Sequence, residues 1–153
     1  MASNRHLGRI LALQSLYEYD FRLSVNDEAV SIDEIIERNL TRFSNEVDDK
    51  AFVEKLVKGT AEHADAYDLL LQPIAPDWPI DQIARIDRCI LRMALYQLKE
   101  MVKEVPPKVV INEAVELAKA FGSDNSSKFV NGVLGTAYRT LIEGVSVDET
   151  AKL

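Results

Sequence analysis

Cysteine, histidine and basic charge are all scarce in this chain. One cysteine, Cys89, among 153 residues excludes an intramolecular disulfide and suits a reducing compartment. It sits in RCILRMAL, where a lone cysteine reads as a small core residue rather than a nucleophile. The two histidines, His6 and His63, lie far apart with no cysteine cluster, so no metal-ligand spacing exists. Long apolar runs are also missing. No stretch approaches the roughly 18 apolar residues of a membrane span, and the opening MASNRHLGRILAL is interrupted by Arg9 too early for a secretion signal. The expected location is cytoplasmic. No Walker loop, dinucleotide fingerprint or nucleophile elbow occurs. Acids abound without any pair set apart from solvated helix faces. The reading is a non-enzymatic chain without cofactor or metal.

The shortage of basic charge excludes one further class. The formal net charge is −7, whereas proteins that grip nucleic acid indiscriminately carry a basic balance. Any nucleic-acid binding here must be local, specific or assisted by a partner. Charge is also sorted along the chain. Residues 1–10 hold Arg5, His6 and Arg9 and no acid, while 24–50 holds Asp27, Glu28, Asp33, Glu34, Glu37, Glu46, Asp48 and Asp49.

What is present is helical periodicity. Over 4–23, Leu7, Ile10, Leu11, Leu13, Gln14, Tyr17 and Phe21 recur at three- and four-residue spacing, the pattern of a core-facing stripe. Ser31-Ile-Asp-Glu34 has the form of a capping box opening a second helix. A third is expected over 46–71, with Gly59 tolerated inside it. QPIAPDWP at 72–79 breaks the chain, because three prolines remove donors and fix φ. Pro79, preceded by Asp77 and Trp78, suits the first turn of a helix over 79–102, with a kink near Asp87. Helices over 108–121 and 126–143 follow, and the tail 145–153 is expected to fray. No segment alternates with period two. The fold expected is an all-α bundle of six or seven helices in one domain, 1–144.

Two places carry groups suited to single-stranded RNA. Arg5 and Arg9 share a helix face at i and i+4, with His6 between them. Solvent-exposed arginines and a core Tyr17 explain the same spacing. The second place is KVVINEAVELAKAFGSDNSSKFVNGVLG, 108–135. Gly122 is expected in the left-handed turn that closes a helix, with Lys119 and Phe121 at its rim. SDNSS then exposes Asn125 and hydroxyls, and the next helix brings Lys128 and Phe129. Cations for phosphate, aromatics for stacking and free amides for polar edges form one such set. Routine capping of a helix–loop–helix accounts equally for this composition. Gly132 and Gly135, three apart, are expected to let a neighbouring helix approach closely.

Together, ALQSLYEYD (12–20), IDRCILRMALYQL (86–98) and VPPKVVINEAVELAKAFGSDNSSKFVNGVLG (105–135) resemble the NusB family of transcription antitermination factors. The resemblance runs the length of the chain. It implies an N-terminal three-helix part packed on a C-terminal four-helix part. It also implies binding of boxA-type RNA together with a small-subunit ribosomal protein (NusE), in a transcription elongation complex that resists termination on ribosomal RNA operons. Residue by residue, it puts RNA contacts at Arg5, His6, Arg9, Phe121, Gly122, Asn125, Lys128 and Phe129, and the composition of the turn adds Lys119 to them. It puts partner contacts at Tyr17, Asp87 and Arg92.

Three positions depart from the family pattern. Asn4-Arg5-His6-Leu7-Gly8-Arg9 stands where many members have a run of arginines, which predicts a shallower salt dependence and a stronger need for the partner. Pro107 replaces a common tyrosine, and Asn125 replaces a common acid that would repel phosphate. Two other readings stand beside this one. In one, a NusB-like domain precedes an RNA cytosine methyltransferase, for which these 153 residues lack the long catalytic domain. In the other, the chain is an interaction scaffold or homodimer with weak RNA binding.

Overall fold

The computed structural model describes residues 2–75 and 79–144, with side chains from Arg5 onward. The expected tail at 145–153 and the approach through Asp77 and Trp78 lie outside the described residues. Among the described residues the chain is all-α, with α1 (Ala2–Ser24), α2 (Ile32–Arg42), α3 (Lys50–Glu62), α4 (Ala64–Ile74), α5 (Arg85–Glu100), α6 (Pro107–Phe121) and α7 (Ser126–Ala137). A 3-10 turn, Ile80–Gln82, precedes α5, and a π-helical turn, Tyr138–Ile142, follows α7. Contacts divide the chain into two compact units, Met1–Glu62 and His63–Leu153.

In the first unit α1 packs on both α2 and α3. Its buried run is Gly8 to Leu16, with Ile10 half-buried and Gln14 exposed, while Tyr17 and Phe21 are 40% and 48% exposed. The expected inward stripe is therefore shifted. Small residues at Gly8, Ala12 and Ser15 take up buried positions, and larger ones would not fit as closely. A Cβ at Gly8 would already lie 3.2 Å from Val53 Cγ2. Ile35, Ile36 and Leu40 of α2 and Phe52, Val53, Leu56 and Val57 of α3 complete this core. One polar clasp crosses it: Asn39 Nδ2 donates to Ser15 Oγ at 2.9 Å, and Ser15 donates to the Leu11 carbonyl at 2.8 Å. The capping serine is in place, since Ser31 Oγ accepts from the Glu34 amide at 3.3 Å.

The expected helix over 46–71 is two helices. It breaks at His63, whose φ −105° and ψ 10° depart from helical values. No glycine or proline marks the break, and Gly59 lies buried inside α3. In the second unit the His63 ring stacks on Tyr67, with centroids 5.7 Å apart, and faces Tyr96 at 6.2 Å. Aromatic contact of this kind helps hold a turn that local propensity does not specify.

α5 is the centre of the second unit. From Cys89 to Leu98 only Arg92 is not buried, and α4, α6 and α7 all pack on this helix. Instead of starting at Pro79 and kinking at Asp87, α5 starts at Arg85. Ile83 and Ala84 are extended, with ψ 131° and 137°. The preceding 3-10 turn is held by Ile80 N–H donating to Gln72 Oε1 at 3.0 Å, and by Arg88 donating to the Ile80 carbonyl at 3.2 Å. Asp87 thus falls in the first turn of a helix, facing inward.

Candidate nucleic-acid interface

The basic start of α1 is largely occupied by its own unit. Arg9 is 3% exposed, and its guanidinium lies 5.2 Å from the centroid of the Phe52 ring. The Arg5 guanidinium lies 4.5 Å from the same ring, and its Nη2 is 3.7 Å from Asp49 Oδ2. A cation over an aromatic face is held by the ring quadrupole, so Phe52 acts as a shared platform for both arginines. The expectation that Arg9 meets phosphate is corrected by its burial. Arg5 remains partly exposed, with its charge balanced in part by Asp49, and His6 is half-buried.

The α6–α7 turn is open by comparison. Lys119 is exposed and pairs with Glu116 at 3.6 Å. Phe121 is 42% exposed, Asn125 and Lys128 are exposed, and Phe129 is half-buried. Gly122 is not in the left-handed region: its φ of −91° and ψ of −169° are extended. It is glycine for want of space. A Cβ there would stand 2.4 Å from Ser126 Oγ and 2.8 Å from the Ala118 carbonyl oxygen.

Ser126 fills that space because it is fully buried and bonded on several sides. Its hydroxyl accepts the Ser123 amide N–H at 2.9 Å and lies 3.2 Å from Ser123 Oγ. The Ser126 amide in turn donates to the Ser123 carbonyl at 3.1 Å. These bonds close the turn 123–126 ahead of α7, whose N-cap is Asn125. In sequence terms, the S-x-x-S spacing of Ser123 and Ser126 is the signal for this role of Ser126. Asn125, the N-cap residue of α7, makes no side-chain capping bond and is exposed.

Ser126 also donates to Asp87. That carboxylate is 7% exposed, and its Oδ1 is without a hydrogen-bond partner. Burial pushes the Asp87 carboxyl above its ordinary value, and the Ser126 hydroxyl offsets this only in part. Asp87, Ser126, Asn125 and Phe129 line one cavity of about 350 Å³, together with Gln82, Ile83, Ala84 and Ser123. The turn and the extended Ile83-Ala84 segment thus build a pocket whose floor is an acid.

The three residues assigned to a partner face have separate surroundings. Tyr17 is exposed on α1. Asp87 is not on an open face but within this cavity. Arg92 is tied to Asp68 by two bonds, Nε to Oδ1 at 2.8 Å and Nη2 to Oδ2 at 2.6 Å, with both side chains mostly buried. Its charge is therefore matched at home. Gly132 and Gly135 meet nothing within 4 Å of where a Cβ would stand, so the expected close helix approach is absent there among the described residues.

Comparison with known proteins gives one consistent result. The model of the NusB family matches residues 6–139. The chain is 49% identical over 137 residues to the transcription antitermination protein NusB of Chloroflexus aggregans, covering 89% of this chain and 87% of that one. It is 44% identical over 137 residues to the corresponding protein of Roseiflexus castenholzii, covering 89% and 92%. Among solved structures, NusB of T. maritima matches at a TM-score of 0.75 and 30% identity, over 86% of this chain and 87% of that one. A structure of antitermination factors NusB and NusE in complex with dsRNA matches at 0.74 and 26%, over 92% and 99%.

Proposed function

Because this chain belongs to the NusB family of transcription antitermination proteins, a non-enzymatic family, we propose that it recognises single-stranded boxA-type RNA as one half of a pair with the ribosomal protein NusE. The pair then joins the elongation complex on ribosomal RNA operons. The observation that carries this reading is the α6–α7 turn. There, exposed Lys119, Phe121 and Lys128 belong to a turn whose Asn125 and Phe129 line a cavity. Cations, stackable rings and amides are the groups that hold unstacked RNA. The solved relative bound to NusE and RNA supports the choice of partners.

Arg5, His6 and Gly122 keep a place in this reading, each with a narrower role. Arg5 contributes charge only as far as Asp49 releases it. Gly122 shapes the turn. Tyr17, exposed beside Phe21 on α1, offers aromatic area to a protein partner.

The test is fluorescence anisotropy with a boxA-like RNA, with and without NusE, over a salt series. Binding that tightens with NusE and weakens with salt is expected. Lys128→Ala should flatten the slope of log K against log salt by about 0.7, the value for one phosphate contact on a single strand. Absence of binding in both arms would remove the RNA reading and favour a scaffold or homodimer. The exposed Tyr17 and Phe21 would then be its contact surface, and sedimentation would reveal the dimer.

A further inference from the structure

The first turn of α3 brings a ring and an acid to the same guanidinium. Asp49 stands just ahead of this helix, and its Oδ1 accepts the Phe52 amide N–H at 3.0 Å. That is the bond of an N-cap residue to the third helical position. It fixes the carboxylate, whose Oδ2 then lies 3.7 Å from Arg5 Nη2. Phe52, anchored by the same bond, lies beside both guanidiniums, with its centroid 4.5 Å from that of Arg5 and 5.2 Å from that of Arg9. α1 comes this close because position 8 is glycine. A Cβ there would stand 3.2 Å from Val53 Cγ2 and 3.5 Å from Phe52 Cδ1.

We infer that Asp49 is a built-in attenuator of RNA binding: its carboxylate competes with an RNA phosphate for the Arg5 guanidinium. The inference rests on the RNA reading above and adds how strongly the start of α1 takes part in it. At 3.7 Å the contact is an ion pair too long for a hydrogen bond. It offsets the charge of Arg5 without occupying one of its N–H groups. An ordinary surface acid would swing aside for a phosphate. Asp49 cannot do so without breaking its bond to the Phe52 amide. A phosphate drawn to Arg5 therefore meets a fixed negative charge beside its target, well inside the Debye length of about 8 Å. The two side chains are 36% and 48% exposed, so RNA can reach the pair and solvent limits the attenuation to a few-fold.

Capping by itself calls for an oxygen and not for a charge, since asparagine and serine serve as well as aspartate. The two roles of Asp49 can therefore be separated. Asp49→Asn keeps an oxygen for the Phe52 amide and removes the charge that faces Arg5, and Asp49→Ser does the same with a shorter side chain.

The experiment uses the full chain and a fluorescein-labelled single-stranded boxA-like ten-mer, with anisotropy read over a salt series, with and without NusE. Circular dichroism melts verify that each variant is folded. Asp49→Asn and Asp49→Ser should each bind the RNA about two- to fivefold more tightly than the wild type, the range of an exposed ion pair. The slope of log K against log salt should steepen by up to about 0.7, the value for one phosphate contact on a single strand. In an Arg5→Ala background, Asp49→Asn should bring no gain. Glu28→Gln removes the same charge beyond the far end of α1, whose 23 residues span roughly 35 Å, and should leave affinity unchanged. Unchanged or weaker binding by both Asp49 variants would overturn the inference and leave the RNA reading standing. An equal gain from Glu28→Gln, or in the Arg5→Ala background, would show an effect of net charge alone and overturn it as well. Binding of the RNA by neither the wild type nor any variant would overturn both readings.

Discussion

Gly122 and Asp87 show how much a single side chain decides here. Since Gly122 is extended and crowded rather than left-handed, Gly122→Asn should do as much damage as Gly122→Ala. Each is expected to lower stability by about 1–3 kcal/mol through overpacking against Ser126, read as a fall in Tm by calorimetry. A tolerated asparagine would restore the left-handed turn. Asp87 should behave in the opposite way. Burial raises its carboxyl above the ordinary 3.8, so the native state holds this proton more tightly than the unfolded chain does. Its contribution to stability then falls as pH rises from the ordinary value through the raised native one. Asp87→Asn removes the buried unpaired charge, and at neutral pH it should raise Tm by roughly 2–4 °C, equivalent to about 1 kcal/mol. The gain should close in acid, where the wild-type carboxyl is also neutral. A lower Tm at neutral pH would mean that some group does answer the charge.

At the scale of the helix, periodicity made α2, α6 and α7 legible to within a few residues. It misplaced the buried face of α1 for a definable reason: the pattern was drawn from large apolar residues. Gly8, Ala12 and Ser15 are buried because they are small, and Arg9 is buried because Phe52 receives its guanidinium. Arginine is almost never fully buried unless something pairs with it, and the residue that does so lies 43 positions along the chain (52 minus 9). The break at His63 and the start of α5 at Arg85 were hidden for the same kind of reason. Ring contacts and a glutamine side chain hold those backbones, rather than local breakers. In the site, the loop composition pointed to Asn125, Lys128 and Phe129 and the resemblance to Asp87, whereas the bond that joins Asp87 to Ser126 became visible only once α5 and α7 met. Arg9→Ala should accordingly cost about 1–3 kcal/mol in chemical denaturation, from lost packing and cation–π contact. Arg5→Ala should leave stability close to wild type and reduce RNA affinity. Gly132→Ala, in open space on α7, should stabilise by up to about 1 kcal/mol.

For the molecule as a whole, the sign of its charge is the governing feature. With a net charge of −7, the chain repels a polyanion at long range, which leaves affinity to local groups and to a partner. Acids also help hold the first unit together. Glu18 meets Arg22 at 3.1 Å and bonds Arg38, while Arg22 Nε donates to Asp27 at 2.7 Å. Burial opposes ionisation of Glu18, but hydrogen bonds from Arg38 and Arg22 outweigh it and hold its carboxyl below the ordinary 4.5. Arg22 and the Ala29 amide hold Asp27 below 3.8. The stability these groups lend is fully present above the ordinary values and is lost as pH falls through the lowered native ones. Urea midpoints should therefore drop as pH falls below these ordinary values of 4.5 and 3.8, and Arg38→Gln should make that drop shallower.

Ser126 joins two of these scales. Its hydroxyl occupies the space a side chain at position 122 would need, and the same hydroxyl donates to Asp87. Any change at either position is thus felt at both. A larger residue at 122 needs a smaller one at 126, and a smaller one at 126 strips the acid of its donor. Positions 122, 126 and 87 should vary in evolution as a linked triplet, so that the shape of a turn and the chemistry of a pocket are inherited together.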